Sequence, residues 1–132
     1  MKSDIEIKDD IYNYIKKCAL DKEVSGKLCK RGILPAGSDK EDIVLNVLAN
    51  ENGDTQQAVV NVNVYVPDDF IDNQYEENTL RLRELCKIFK DKLNRGYGKD
   101  FHIYLMSQRV LAVNGANVHV INNKLEYKHL NE

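Results

Sequence analysis

The residue types best suited to chemistry in this chain are three cysteines and three histidines: Cys18, Cys29, Cys86, His102, His119 and His129. A structural zinc needs four such ligands converging in a tetrahedron, and sequences deliver them as closely spaced pairs. None of the six has a near neighbour of that kind, so the spacing holds no zinc motif. Nucleophilic catalysis needs a serine or cysteine beside a histidine base and an orienting acid. The types are present, but no nucleophile elbow or glycine-rich turn marks one. His119 alternates with apolar neighbours, as a structural histidine on a strand does, and His129 falls where a C-terminus frays. Asp39, Glu41 and Asp42 could form the acidic cluster of a metal-dependent nuclease. A two-metal site, however, takes carboxylates converging from separate elements. These are sequential, with Lys40 among them, and Ser38 with Glu41 reads better as turn capping. The glycines are scattered singly, without a phosphate-loop pattern. The basic run Lys27 to Arg31 is broken by Leu28 and Cys29, and a solvated strand face explains it as well as any ligand does. No catalytic, cofactor-binding or metal site is expected, and the chain is not expected to be an enzyme.

The elements around these residues follow from hydrophobic periodicity. Ile7, Ile11, Ile15 and Cys18 recur at helical spacing, and Ser3 with Glu6 has the spacing of a capping box. After Gly26 comes one short strand (Lys27 to Lys30) and then a long loop holding Gly32, Pro35, Gly37 and Ser38. Ile43 to Leu48 and Ala58 to Val66 read as a hairpin across Asn50-Glu51-Asn52-Gly53-Asp54, with Val60, Val62, Val64 and Val66 on one face. Pro67 cannot donate to a ladder and ends the second strand. A second helix is expected from the start signal Asn73 with Glu76. Its stripe is Leu82, Leu85, Phe89 and Leu93, its solvent side carries the pair Glu77 and Arg81, and its stop is a left-handed Gly96. Then come strands Phe101 to Leu105 and Arg109 to Val113, a hairpin turn at Asn114-Gly115, and a last strand from Asn117 to about Tyr127. That last strand carries His119, Ile121, Asn123, Leu125 and Tyr127 on one face, unless Asn122-Asn123 breaks it. The class is α+β, in the order α-β-β-β-α and then the C-terminal strands. The sheet should be antiparallel or mixed, of four to six strands, with both helices on one face.

The 132 residues fit a single domain, 1–132, long enough to build a core without staples. A formal charge of −2 lacks the basic surplus by which proteins hold nucleic acid phosphates. An odd cysteine count without Cys-x-x-Cys fits a reduced chain rather than a disulfide scaffold. The charged first ten residues hold no apolar h-region, so no signal peptide is expected, and no apolar run is long enough to span a bilayer. What the sequence does hold is long polar loops, Arg31 to Asp42, Asn50 to Gln57 and Pro67 to Asn73, of a length that often serves recognition. The valine-rich strand Ala58 to Val66 would also be sticky if it lay at an edge.

Taken together, the opening helix (Ile5 to Leu20), Gly26-Lys27-Leu28 and a loop with Pro35 form a recognisable layout. Ser38-x-x-Glu41-Asp42-Ile43-Val44 and Val60-Asn61-Val62-Asn63-Val64-Tyr65-Val66-Pro67-Asp68 extend it. The helix Asn78 to Leu93 and the strand Asn117-Val118-His119-Val120-Ile121-Asn122 complete it. This layout resembles that of the tail-completion or tail-terminator (head–tail joining) proteins of tailed bacteriophages and prophages. The resemblance covers nearly the whole chain through short, non-catalytic motifs. It implies a virion structural protein that self-associates into a ring, commonly a hexamer, at the head-proximal end of the tail tube. Such a ring ends tube growth and meets the neck or connector. It would assemble in the bacterial host cytoplasm, with no cofactor and no specific hold on nucleic acid. A mildly acidic wall suits a channel through which DNA slides. Two other readings stay open: a small ligand-binding or regulatory domain, and a nuclease using Asp39, Glu41 and Asp42.

Overall fold

A computed structural model describes residues 1–130. In chain order its elements are α1 (Asp4–Lys17), a single 3-10 turn (Leu20–Lys22), β1 (Leu28–Cys29), β2 (Asp42–Glu51) and β3 (Thr55–Pro67). There follow β4 (Asp69–Ile71), β5 (Gln74–Glu76), α2 (Thr79–Leu93), β6 (Arg95–Tyr97), β7 (Phe101–Ala112) and β8 (Val118–Leu130). Six strands form one mixed sheet in the order β1-β2-β3-β8-β7-β6, and β4 with β5 makes a separate hairpin. Among the described residues only the β1–β2 pairing is parallel. The expected α+β class, with two helices on one face of a mixed sheet, is what the chain adopts. Among the described residues no helix is long and apolar enough to cross a membrane.

The capping box at the first helix forms as expected. The Glu6 amide donates to the Ser3 hydroxyl at 3.2 Å, and the Ser3 amide donates to the Glu6 carboxylate at 3.0 Å. Ile7, Ile11 and Ile15 then face the sheet, fully buried. They meet Ile43 and Leu45 of β2, Val60, Val62 and Val64 of β3, and Ile121, Leu125 and Tyr127 of β8. Leu82, Leu85, Phe89 and Leu93 bring α2 onto the same core. Phe101 stacks on Tyr127 with ring centroids 5.2 Å apart. The valine strand β3 lies between β2 and β8, so it is an interior strand and not the sticky edge its composition suggested.

Several local expectations are corrected. Asn73 does not start the second helix. Asp72 and Asn73 both take positive φ (51° and 64°), which turns the chain back into the β4–β5 hairpin. The helix begins after Asn78, whose side chain accepts from the Arg81 amide at 3.2 Å. Glu77 therefore precedes the helix, and Arg81 turns instead to Glu41 and Glu84. Gly96 is a buried residue of β6 with no left-handed role. It is needed because a Cβ there would lie 2.4 Å from the Tyr14 hydroxyl oxygen, which donates to the Lys92 carbonyl at 2.7 Å. The two strands expected before Asn114 are one, β7, whose register shifts between Leu105 and Ser107. That bulge breaks the alternation that made it look like two. Asn122 and Asn123 sit mid-strand in β8. Asn123 is fully buried because its amide donates to the Val62 carbonyl at 3.1 Å and its oxygen accepts from Gln108 at 2.8 Å. His129 is paired within β8 rather than frayed, with Nδ1 2.8 Å from the Asp100 carbonyl oxygen.

Candidate functional site

The residues singled out for chemistry are spread over the fold and tied to structural partners. Cys18, Cys29 and Cys86 are free thiols, each half-buried, and burial raises all three above the ordinary thiol range. That makes them poor nucleophiles, since the thiolate is the reactive form. His119 places Nδ1 2.7 Å from Asp68 Oδ1, which fastens the β8 start to the chain just past Pro67. His102 lies beside the Tyr97 ring, 6.1 Å between centroids. Among the described residues no three His, Cys, Asp or Glu side chains come together as a metal-holding group.

The acidic cluster is divided among separate tasks. Asp39 is exposed, whereas Glu41 and Asp42 are buried. The Glu41 carboxylate accepts from Arg81 at 2.6 and 2.8 Å and from the Ser25 amide at 3.2 Å. Asp42 accepts from the Lys27 amide at 2.8 Å and from the Ser38 hydroxyl at 2.6 Å. Gly26 is pressed between them: a Cβ there would lie 2.2 Å from Asp42 Oδ1. Together these bonds lock the loop between β1 and β2 to the sheet edge and to α2. In the basic run, Lys30 pairs with Asp9 at 2.9 Å and lies over the Tyr12 ring.

A second polar network joins the N-terminus to the sheet. Lys2 Nζ sits 2.6 Å from Asp10 and 2.8 Å from Asp100, and the Tyr127 hydroxyl donates to Asp10 at 2.5 Å. Burial opposes the charge of Lys2, but its hydrogen bonds to the two aspartates outweigh that and raise its pKa. For Tyr127, burial and then the bond to Asp10 push the phenol well above its usual value. Lys2, Asp10, Tyr14, Tyr97 and Phe101 line a depression of about 560 Å³ beside this network. Another of about 550 Å³ lies where Pro35, Asp39, Tyr65, Pro67, Asp68 and Tyr75 meet.

The most distinctive surfaces are backbone edges. β6 covers β7 only over His102–Tyr104, and the Leu105 amide donates to the Asn94 carbonyl at 3.1 Å. Beyond the bulge, Ser107–Ala112 has β8 on one side and no strand on the other among the described residues. At the other side of the sheet β1 covers β2 only at Ile43 and Val44. Gly32 comes close to Asn46, and among the described residues Val47–Glu51 has no outer strand. The ladders put Arg109, Asn122, Asn63 and Val44 on one line across the sheet, and Leu105, Leu125, Val60 and Val47 on another. The two open edges therefore occupy diagonally opposite corners. Exposed apolar side chains cluster on or near them: Leu48 on β2, and Met106, Val110 and Leu111 on β7. The β4–β5 hairpin adds Phe70 and Tyr75, whose rings meet at 5.0 Å while both stay more than half exposed. Neither edge was legible in advance, because which strand ends outermost depends on pairings far apart in sequence. No protein-family model matches this chain, and no curated protein matches it.

Proposed function

We propose that this chain is a structural protein of a tailed phage or prophage, whose copies associate into a ring that completes the tail tube and joins it to the neck. The observation that carries the assembly reading is the open edge Ser107–Ala112 of β7, with Val110 and Leu111 about two-fifths exposed. Unprotected edges of this kind are strand-pairing sites, and proteins that work alone usually blunt them with lysine, proline or a covering loop. The specific role rests on the layout of helices and strands quoted above. On this reading the protein assembles in the host cytoplasm, ends in the tail or neck of the virion, and carries no cofactor. Copurification with the tail-tube and neck proteins of the same phage, as a particle of several copies, is the expected result. A chain that stays strictly monomeric in their presence contradicts the role.

A second reading, a small ligand-binding or regulatory domain, is favoured by the depression where Tyr65 and Tyr75 approach Asp39 and Asp68. It predicts saturable binding of a small polar ligand with a rise in melting temperature. The nuclease reading would draw on Glu41 and Asp42, whose carboxylates already bond Arg81, Lys27, Ser25 and Ser38. It predicts stabilisation by magnesium or manganese.

A further inference from the structure

We infer that the open edge of β7, Ser107–Ala112, pairs with the open edge of β2, Val47–Glu51, of a second copy of this chain, joining copies head to tail through a continuous sheet. The inference rests on the ring reading and deepens it by naming the two surfaces that meet.

The direction of the strands allows it. β2 is antiparallel to β3, β3 to β8, and β8 to β7, so β2 and β7 run in opposite directions. Copies set side by side with the same face toward their helices thus bring β7 and the next β2 together antiparallel, the arrangement that already builds most of the sheet. The register follows from the faces and charges. On β7, Arg109 and Leu111 share the face away from the helices, in line with Asn122 and Val120. On β2, beyond the bulge at Leu48, Ala49 and Glu51 share that face, in line with Val59 and Gln57. Setting Arg109 opposite Glu51 places Leu111 opposite Ala49 on the same face and Val110 opposite Asn50 on the helix face. Opposite charges directly across an antiparallel pair stabilise it, and like charges destabilise it. Two copies of β7 pairing with each other about Arg109 would set like charges opposite. Shifting that pairing to Val110 would leave each Arg109 against Leu111 with no acid.

The short strands β1 and β6 fit this register as stops. β1 flanks β2 at Ile43 and Val44, which in the joined pair fall beyond the end of β7. β6 flanks β7 at His102–Tyr104, which fall beyond the turn that ends β2. Each fills one corner and leaves the diagonal one free. Because the contact joins two different surfaces, it repeats from copy to copy and makes a ring when the rotation between copies closes.

The test is covalent capture. Cys18, Cys29 and Cys86 are replaced by alanine, and Ala49→Cys and Leu111→Cys are introduced into one chain. Directly opposed Cβ atoms come within disulfide reach. Oxidation is expected to give a ladder of multiples of the 15.2 kDa chain on a denaturing gel, absent from either single variant. Arg109→Glu should lower the yield by about fivefold, and adding Glu51→Arg should restore it, since one cross-strand charge pair is reversed and then repaired. The same charge swap, read by sedimentation in the chain with its native cysteines, keeps the test independent of the cysteine replacements. Dimers from Leu111→Cys alone as readily as from the pair, or a ladder indifferent to Arg109→Glu, overturn the pairing. Multimers that form without the ladder overturn the pairing and leave the ring reading standing. A chain monomeric throughout, with tail-tube and neck proteins present, overturns both.

Discussion

Tyr127 is the largest fully buried side chain, yet its hydroxyl reaches Asp10, which in turn holds Lys2. Both Tyr127 and Lys2 have pKa values raised in the fold above their ordinary 10.0 and 10.5. Groups that bind their protons more tightly when folded stabilise fully below those ordinary values and lose that contribution as pH rises through the folded ones. Melting temperature should therefore fall steeply above pH 10, and Tyr127→Phe should flatten that fall while costing about 1 kcal/mol at pH 7 for the lost hydrogen bond. Melting curves from pH 7 to 11 check it, and an unchanged alkaline slope in the variant would refute the assignment. Gly96 supplies a second residue-scale prediction. Gly96→Ala drives a methyl into Tyr14 and should cost roughly 1–3 kcal/mol by urea unfolding. In a Tyr14→Ala background the same change should cost far less, because the two residues share one space.

At the scale of elements, the start of α2 gives the sharpest contrast. Asn78→Ala should cost about 1 kcal/mol, because the Arg81 amide loses its acceptor. Asn73→Gly should be neutral or slightly stabilising, because Asn73 sits at positive φ in a hairpin turn. A helix that began at Asn73 would rank the two the other way in urea unfolding. The reason the sequence misleads here is physical: Asn73 with Glu76 has capping-box spacing, but Asn also tolerates the left-handed turn, and Asp72 beside it selects the hairpin. The elements that were legible carried long, regular stripes, such as Ile7, Ile11 and Ile15 on α1 or Val60 to Val66 on β3. Those that were not depend on a distant partner. Gly96 answers to Tyr14, the bulge at Met106 answers to β8, and Asn123 becomes a core residue only because Val62 and Gln108 satisfy it.

For the whole molecule, the central pairing of β3 with β8 runs from Thr55 opposite Leu130 to Pro67 opposite Val118. The sheet cannot form its middle before its last strand arrives. That topology leaves β7 and β2 outermost with edges that β6 and β1 cover only in part, a property no local pattern encodes. Arg81 shows the same dependence, since its link to Glu41 ties the second helix to a loop far away in sequence. The formal charge of −2 fits a protein that meets other proteins through strands and apolar side chains rather than one that grips phosphate. The most direct test of assembly is native mass spectrometry of the full chain over rising concentration, alone and with the tail-tube and neck proteins that the proposed role requires. The expected result is a series of multiples of 15.2 kDa that ends at one closed number of copies and that Arg109→Glu weakens. A single species of 15.2 kDa under every one of these conditions would contradict the account.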